Sequence, residues 1–133
     1  MGTADSWQLS NAPVLNMAVH KVSLDIFKEA GGMISLRERS MRLTAYLEET
    51  IHAISSTTGT NLEIITPYNP IERGCQLSIV AHGQGRELFD KLSEAGVIVD
   101  WREPAVIRMA PVPLYNSFED VARFGHILAE SLS

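Results

Sequence analysis

The chain has 133 residues, 45% of them hydrophobic and 20% charged, with a formal net charge of −5 and a single cysteine. That is enough for one domain with a real core, in the composition range of soluble globular proteins. There is no apolar run of about 18 residues, no basic and apolar leader at the N-terminus, no basic surplus for a nucleic-acid surface, and, with Cys75 alone, no internal disulfide or multi-cysteine metal site. The expectation is a cytoplasmic protein with neither membrane nor nucleic acid as a partner.

In chain order, residues 1–12 read as an extended arm carrying Trp7 and Leu9, the cut end of a longer chain whose large domain is missing; a single C-terminal domain is expected over 13–133. Residues 13–29 read as a helix. Pro13 suits its first position, Met17 or Ala18, Val22 and Ile26 recur at helical spacing beside Val19 and Phe27, and Gly31 and Gly32 end it. A second helix is expected from Ser35 to Ile54. Ser35 and Glu38 have the spacing of a capping box, and Leu36, Leu43, Leu47, Ile51 and Ile54 make one apolar stripe, with Arg37, Arg39, Arg42, Glu48 and Glu49 on the remaining surface. The polar run 55–61 reads as a loop.

The period then changes. Leu62–Thr66 reads as a strand stopped by Pro67, residues 67–74 as a loop, and Cys75–Ala81 as a strand alternating Cys75, Leu77, Ile79 and Ala81 against Gln76, Ser78 and Val80. Arg86–Ala95 reads as a helix with Leu88, Phe89 and Leu92 inward and Gly96 as its stop. Strands are expected at Val97–Val99 and Val106–Met109, in a hairpin across 100–105. Ser117 starts the last helix, with Asp120 three residues on and Phe118, Val121, Phe124, Leu128 and Leu132 as its buried stripe. The order of helices and strands predicts an α+β domain with a small, mostly antiparallel sheet packed by helices.

Arg108 draws notice first. It sits in the apolar run Val106, Ile107, Met109, Ala110, closed by Pro111 and Pro113. A planar, always-charged fork at the end of a buried strand needs a carboxylate or phosphate to face. That partner is either a side chain (Glu103, Asp100 or Glu119) or a ligand. Asn11 either caps the first helix or, with Ser10, uses the helix start to bind an anion or a polar ring substituent. In Glu72-Arg73-Gly74-Cys75, Gly74 suits a positive φ, and Arg73 reads as a solvated loop residue, with a phosphate or a neighbouring subunit as the alternative. His20, His52, His82 and His126 are scattered without ligand spacing, so no metal site is expected. The run His82-Gly83-Gln84-Gly85 lacks a nucleotide fingerprint. Cys75 reads as a small buried hydrophobe, and Lys21, Lys28 and Lys91 as solvated helix residues, none in the setting of a Schiff-base lysine.

Four separated segments, 7–13, 65–67, 72–78 and 107–118, match in order and spacing those of a known family: the chain resembles the C-terminal third of kynureninase, from about Trp7 to Leu132. The resemblance implies the small domain of a fold-type I pyridoxal-phosphate (PLP) enzyme, a homodimer that hydrolyses L-kynurenine or 3-hydroxykynurenine to anthranilate or 3-hydroxyanthranilate plus L-alanine, with the cofactor as electron sink. It also implies that Arg108 binds the substrate α-carboxylate, that Asn11 stands at the cofactor and substrate, and that Ser10 helps set the surroundings of the aryl ring. The family's Schiff-base lysine, its pyridine-nitrogen aspartate and most phosphate ligands lie upstream of the matching region, so the isolated chain is expected to be inactive. A free-standing amino-acid-binding regulatory module is the second reading.

Overall fold

The structure, a computed structural model, describes residues 10–133. Most of the expected arm, including Trp7 and Leu9, lies outside the described residues. The described residues divide into two compact units, 10–35 and 36–133.

In the first unit, α1 spans Val14–Glu29, with Pro13 at its N-cap rather than its first turn. No side chain caps it, so Asn11 does not have the capping role open to it in the sequence. The helix closes through Ala30 N–H to Ile26 O at 3.0 Å, and Gly31 then turns the chain at φ +92°. Its apolar residues lie where the spacing puts them, yet none is buried; Leu15 is 82% exposed.

The second helix, α2, spans Gly32–Thr58. It starts three residues before the expected Ser35, which is therefore not its cap. Two glycines in the left-handed region, with Gly32 at φ +79°, make the turn within two residues, so helix geometry is available from Met33 onward. It also runs through Ser55–Thr58, expected as loop. The hydroxyls of Ser56, Thr57 and Thr58 donate to the carbonyls four residues back at 2.9, 2.6 and 2.8 Å, which lets a polar run stay helical.

The second unit holds the core. Strands β1 (Leu62–Ile64), β2 (Leu77–Ala81), β3 (Asp100–Arg102) and β4 (Val106–Met109) form one antiparallel sheet in the order β1-β2-β4-β3. Helices α3 (Gly85–Glu94) and α4 (Phe118–Ser131) complete the described elements, an α+β domain. Leu62, Leu77, Ile79, Ala81, Ile107 and Met109 lie on one sheet face and are buried among Leu43, Leu47, Ile51 and Ile54 of α2, Leu88 and Leu92 of α3, and Val121, Phe124 and Leu128 of α4. Removing the larger of these side chains from water contributes about 1.5–3 kcal/mol each.

Three strands differ in their bounds from the sequence reading. Strand β1 ends at Ile64, because Ser78 N–H turns to the Thr66 hydroxyl at 2.8 Å instead of a backbone partner. Strand β2 begins at Leu77, so Cys75 lies before the ladder and is half-buried rather than fully buried. The third strand is Asp100–Arg102, not Val97–Val99. Val97 N–H is committed to Leu92 O at 2.9 Å, closing α3, and Ile98 is wholly exposed. The ladder opens only where Asp100 meets Arg108, which confines the hairpin turn to 103–105. The capping box of α4 is as expected: Ser117 Oγ accepts from Asp120 N–H at 3.2 Å, and Asp120 Oδ2 accepts from Ser117 N–H at 2.8 Å. Phe118 is exposed, tilted 5.8 Å from the Tyr46 ring with Arg42 5.7 Å above it.

Candidate functional site

Strand alternation places Arg108 on the sheet face opposite the core. Ile107 and Met109 are buried, and Arg108 between them shares the open face with its cross-strand partners Ser78 on β2 and Asp100 on β3. Val80 and Val106 pair next to them, and Arg102 pairs with Val106. The face around Arg108 is thus a polar strip, Asp100, Arg108 and Ser78, bordered by two valines.

Of the three acidic partners open to Arg108 in the sequence, the fold selects Asp100. Arg108 Nε donates to Asp100 Oδ2 at 2.7 Å, and Nη2 donates to the same oxygen. Asp100 Oδ2 also accepts from Arg102 Nε at 3.0 Å. The Arg108 hydrogen bond, helped by the charges of Arg102 and Arg108, holds the Asp100 carboxyl below its ordinary pKa. The side chains of Arg108 and Asp100 are 32% and 48% exposed. Water screens such a pair, so it orients the fork more than it stabilises the fold. Among the described residues Nη1 of Arg108 donates no hydrogen bond, and one carboxylate faces two guanidinium groups. The cluster keeps one net positive charge and one open edge of a planar fork, the complement of a single carboxylate.

Arg73 proves to be neither solvated nor available to a phosphate. Its side chain is 4% exposed. Nη2 donates to Glu48 on α2, itself 13% exposed, and Nη1 donates to Pro67 O at 3.2 Å. Arg73 fastens the 67–74 loop to the helix, and nothing in the sequence signals a partner 25 residues away. Arg37 and Arg39, expected as plain surface, make similar ties, Arg37 to Pro70 O and Arg39 to Asn116 O at 3.0 Å. These loops flank the sheet end at which Leu77 and Met109 pair.

A cavity of about 380 Å³ opens beside the same end, lined by Val97, Val99, Met109, Pro111, Asn116 and Phe124 among others. Arg108 is not in its wall. Ser10 and Asn11 are exposed and belong to the first unit, whereas Arg108 belongs to the second. His82 lies 2.7 Å from Glu63, and no group of three or more His, Cys, Asp or Glu converges among the described residues. No described helix is long and apolar enough to cross a membrane.

Residues 36–128 match the family model described as the kynureninase C-terminal domain. The chain is 50% identical over 129 residues to kynureninase of Flavobacterium psychrophilum, and 51% identical over 130 residues to that of Christiangramia forsetii. These alignments cover 97% and 98% of this chain and 30% of each relative. Kynureninase of Xanthomonas oryzae pv. oryzae is 54% identical over 124 residues, 91% of this chain and 28% of the relative. The chain therefore spans about 30% of the length of the relatives it matches.

Proposed function

The chain belongs to the kynureninase C-terminal domain family, and we propose that it serves as the substrate-carboxylate-binding part of a kynureninase, with Arg108 as the group that grips the amino acid. The whole enzyme, in this reading, is a cytoplasmic homodimer that hydrolyses L-kynurenine or 3-hydroxykynurenine to anthranilate or 3-hydroxyanthranilate and L-alanine. The observation that carries the reading is the Arg108 fork, seated on a rigid central strand and held by one edge with the other open.

Cleavage of a carbon–carbon bond in this substrate needs an electron sink, which pyridoxal phosphate supplies when bound. No lysine among the described residues is set to attach it. Lys21 and Lys91 are engaged on helix surfaces with Asp25 at 2.7 Å and Glu87 at 3.0 Å, and Lys28 is exposed. None of the three lines the 380 Å³ cavity. Cofactor attachment falls to the part of the relatives that this chain does not match. What this chain contributes is orientation. A bidentate grip on the α-carboxylate fixes the amino acid at one end, leaving its side chain the only part free to adjust. Exposed Asn11 and Ser10, at the start of α1, are assigned to the cofactor edge and the aryl end of the substrate.

The test is Arg108→Lys in the complete enzyme. Lysine keeps the charge and loses the fork, so kcat/KM for kynurenine should fall roughly 10- to 100-fold while pyridoxal-phosphate content and its visible absorbance are unchanged. Unchanged kcat/KM would remove Arg108 from the substrate site.

A further inference from the structure

We propose that Asp100 is a positioning residue for substrate recognition: it clamps the Nε/Nη2 edge of Arg108, so that the Nη1 edge is presented to the ligand carboxylate. The proposal rests on the reading of Arg108 as the carboxylate-binding group. Asp100 and Arg108 are direct cross-strand partners on the open face, so their backbones are held in register by the ladder and only the side chains remain to be ordered. An arginine has four rotatable side-chain bonds and five N–H donors. Left alone on an open face it samples many directions. Asp100 Oδ2 takes the Nε donor at 2.7 Å and an Nη2 donor, which fixes the plane of the guanidinium.

Arg102 makes the arrangement compatible with an anionic ligand. It donates to the same Asp100 oxygen at 3.0 Å. Asp100 paired with Arg108 alone would be neutral and would offer an incoming carboxylate no net attraction. With Arg102 added, the cluster keeps one positive charge, and both guanidinium groups share the one carboxylate oxygen. The strip has no other acid at the pairing positions next to Arg108, which are Ser78, Val80 and Val106. Asp100 is therefore the side chain that decides where the fork points.

Such an anchor works through the ordering of Arg108, so it strengthens ground state and transition state alike and is read in KM. In the complete enzyme, Asp100→Asn should raise KM for kynurenine about two- to ten-fold, the range expected for one long side chain no longer pre-ordered, with kcat and cofactor content held. Asp100→Glu, which keeps the charge and moves the clamp by one methylene, should fall between the two. Binding of kynuramine, the kynurenine analogue without the α-carboxylate, should be the same in the unsubstituted and Asp100→Asn enzymes. An unchanged or lowered KM in Asp100→Asn would overturn the proposal, the lowered value showing that Asp100 competes with the substrate instead. An equal loss of kynuramine binding would overturn it too, as general damage to the site. If Arg108→Lys is itself without effect, the underlying reading of Arg108 fails. If Arg108→Lys is impaired and Asp100→Asn is not, only the role of Asp100 fails.

Discussion

Removing the Glu48 carboxylate tests how the 67–74 loop is held. In Glu48→Ala the Arg73 side chain, 4% exposed, keeps its one bond to Pro67 O at 3.2 Å and loses its counter-charge. Breaking a buried pair by deleting one partner costs about 3–5 kcal/mol, because the remaining charge stays buried without compensation. Glu48 is 13% exposed, so some water reaches the site and the lower end, about 3 kcal/mol, applies. For a chain of this length that corresponds to a fall in Tm of roughly 9–15 °C, at about 3–5 °C per kcal/mol. The assay is urea and thermal unfolding of the chain followed by far-ultraviolet circular dichroism. A second variant separates the charge from the packing. Glu48→Met combined with Arg73→Met replaces the pair by apolar groups of similar length and should recover most of the loss. If Glu48→Ala unfolds within about 1 kcal/mol of the parent, a value expected of a surface pair, Arg73 finds water in solution and the reasoning from burial is wrong.

Ser117→Ala removes the hydroxyl that caps α4 and should lower stability by about 1 kcal/mol, measured by the same urea titration; no change would show the helix start to be held by packing alone. Gly125→Ala should cost about 1–2 kcal/mol. Its methyl would come within 2.6 Å of Thr50 Cγ2, and the overpacking exceeds the roughly 1 kcal/mol that alanine gains in a helix. Thr50→Ser, which deletes that methyl, should relieve the clash in the double variant, and absence of relief would place the strain elsewhere. Acid should destabilise the fold through Asp120, whose carboxyl is held below its ordinary value of 3.8 first by the Ser117 backbone N–H and then by the Ser117 hydroxyl. The unfolded state binds the proton more readily, so this contribution is complete above the ordinary value and is lost as pH falls through the folded one. Asp120→Asn should flatten the pH dependence of Tm below about pH 4, and an unchanged slope would assign it to other carboxylates.

The amino-acid sequence by itself determined the order of elements, the apolar stripe of α2, that of α4 from Val121 to Leu128, the alternation of β2 and β4, and the capping box at Ser117. Each is a local pattern: a period of 3.6 or 2, or a fixed three-residue spacing. The four segments of family resemblance are legible for the same reason, since they are runs of neighbouring residues. Boundaries were less legible where two local signals compete. Ser35 has the spacing of a cap, yet Gly31 and Gly32 start the helix earlier; Val97–Val99 has strand composition, yet the Val97 N–H is taken by α3.

Only the tertiary structure decided the partners of the charges. Asp100 over Glu103 or Glu119 for Arg108 follows from cross-strand register, which sets residue 100 opposite residue 108 on the open face. The pairing of Arg73 with Glu48, and the ties of Arg37 and Arg39 to distant loop carbonyls, join segments 25 to 77 residues apart. A guanidinium donates to any carboxylate or carbonyl that comes within reach, so its sequence neighbours carry no record of which one that is. That choice belongs to the folded chain, and it is what turns Arg108 from a charge in an apolar run into a fork with one edge held and one edge open.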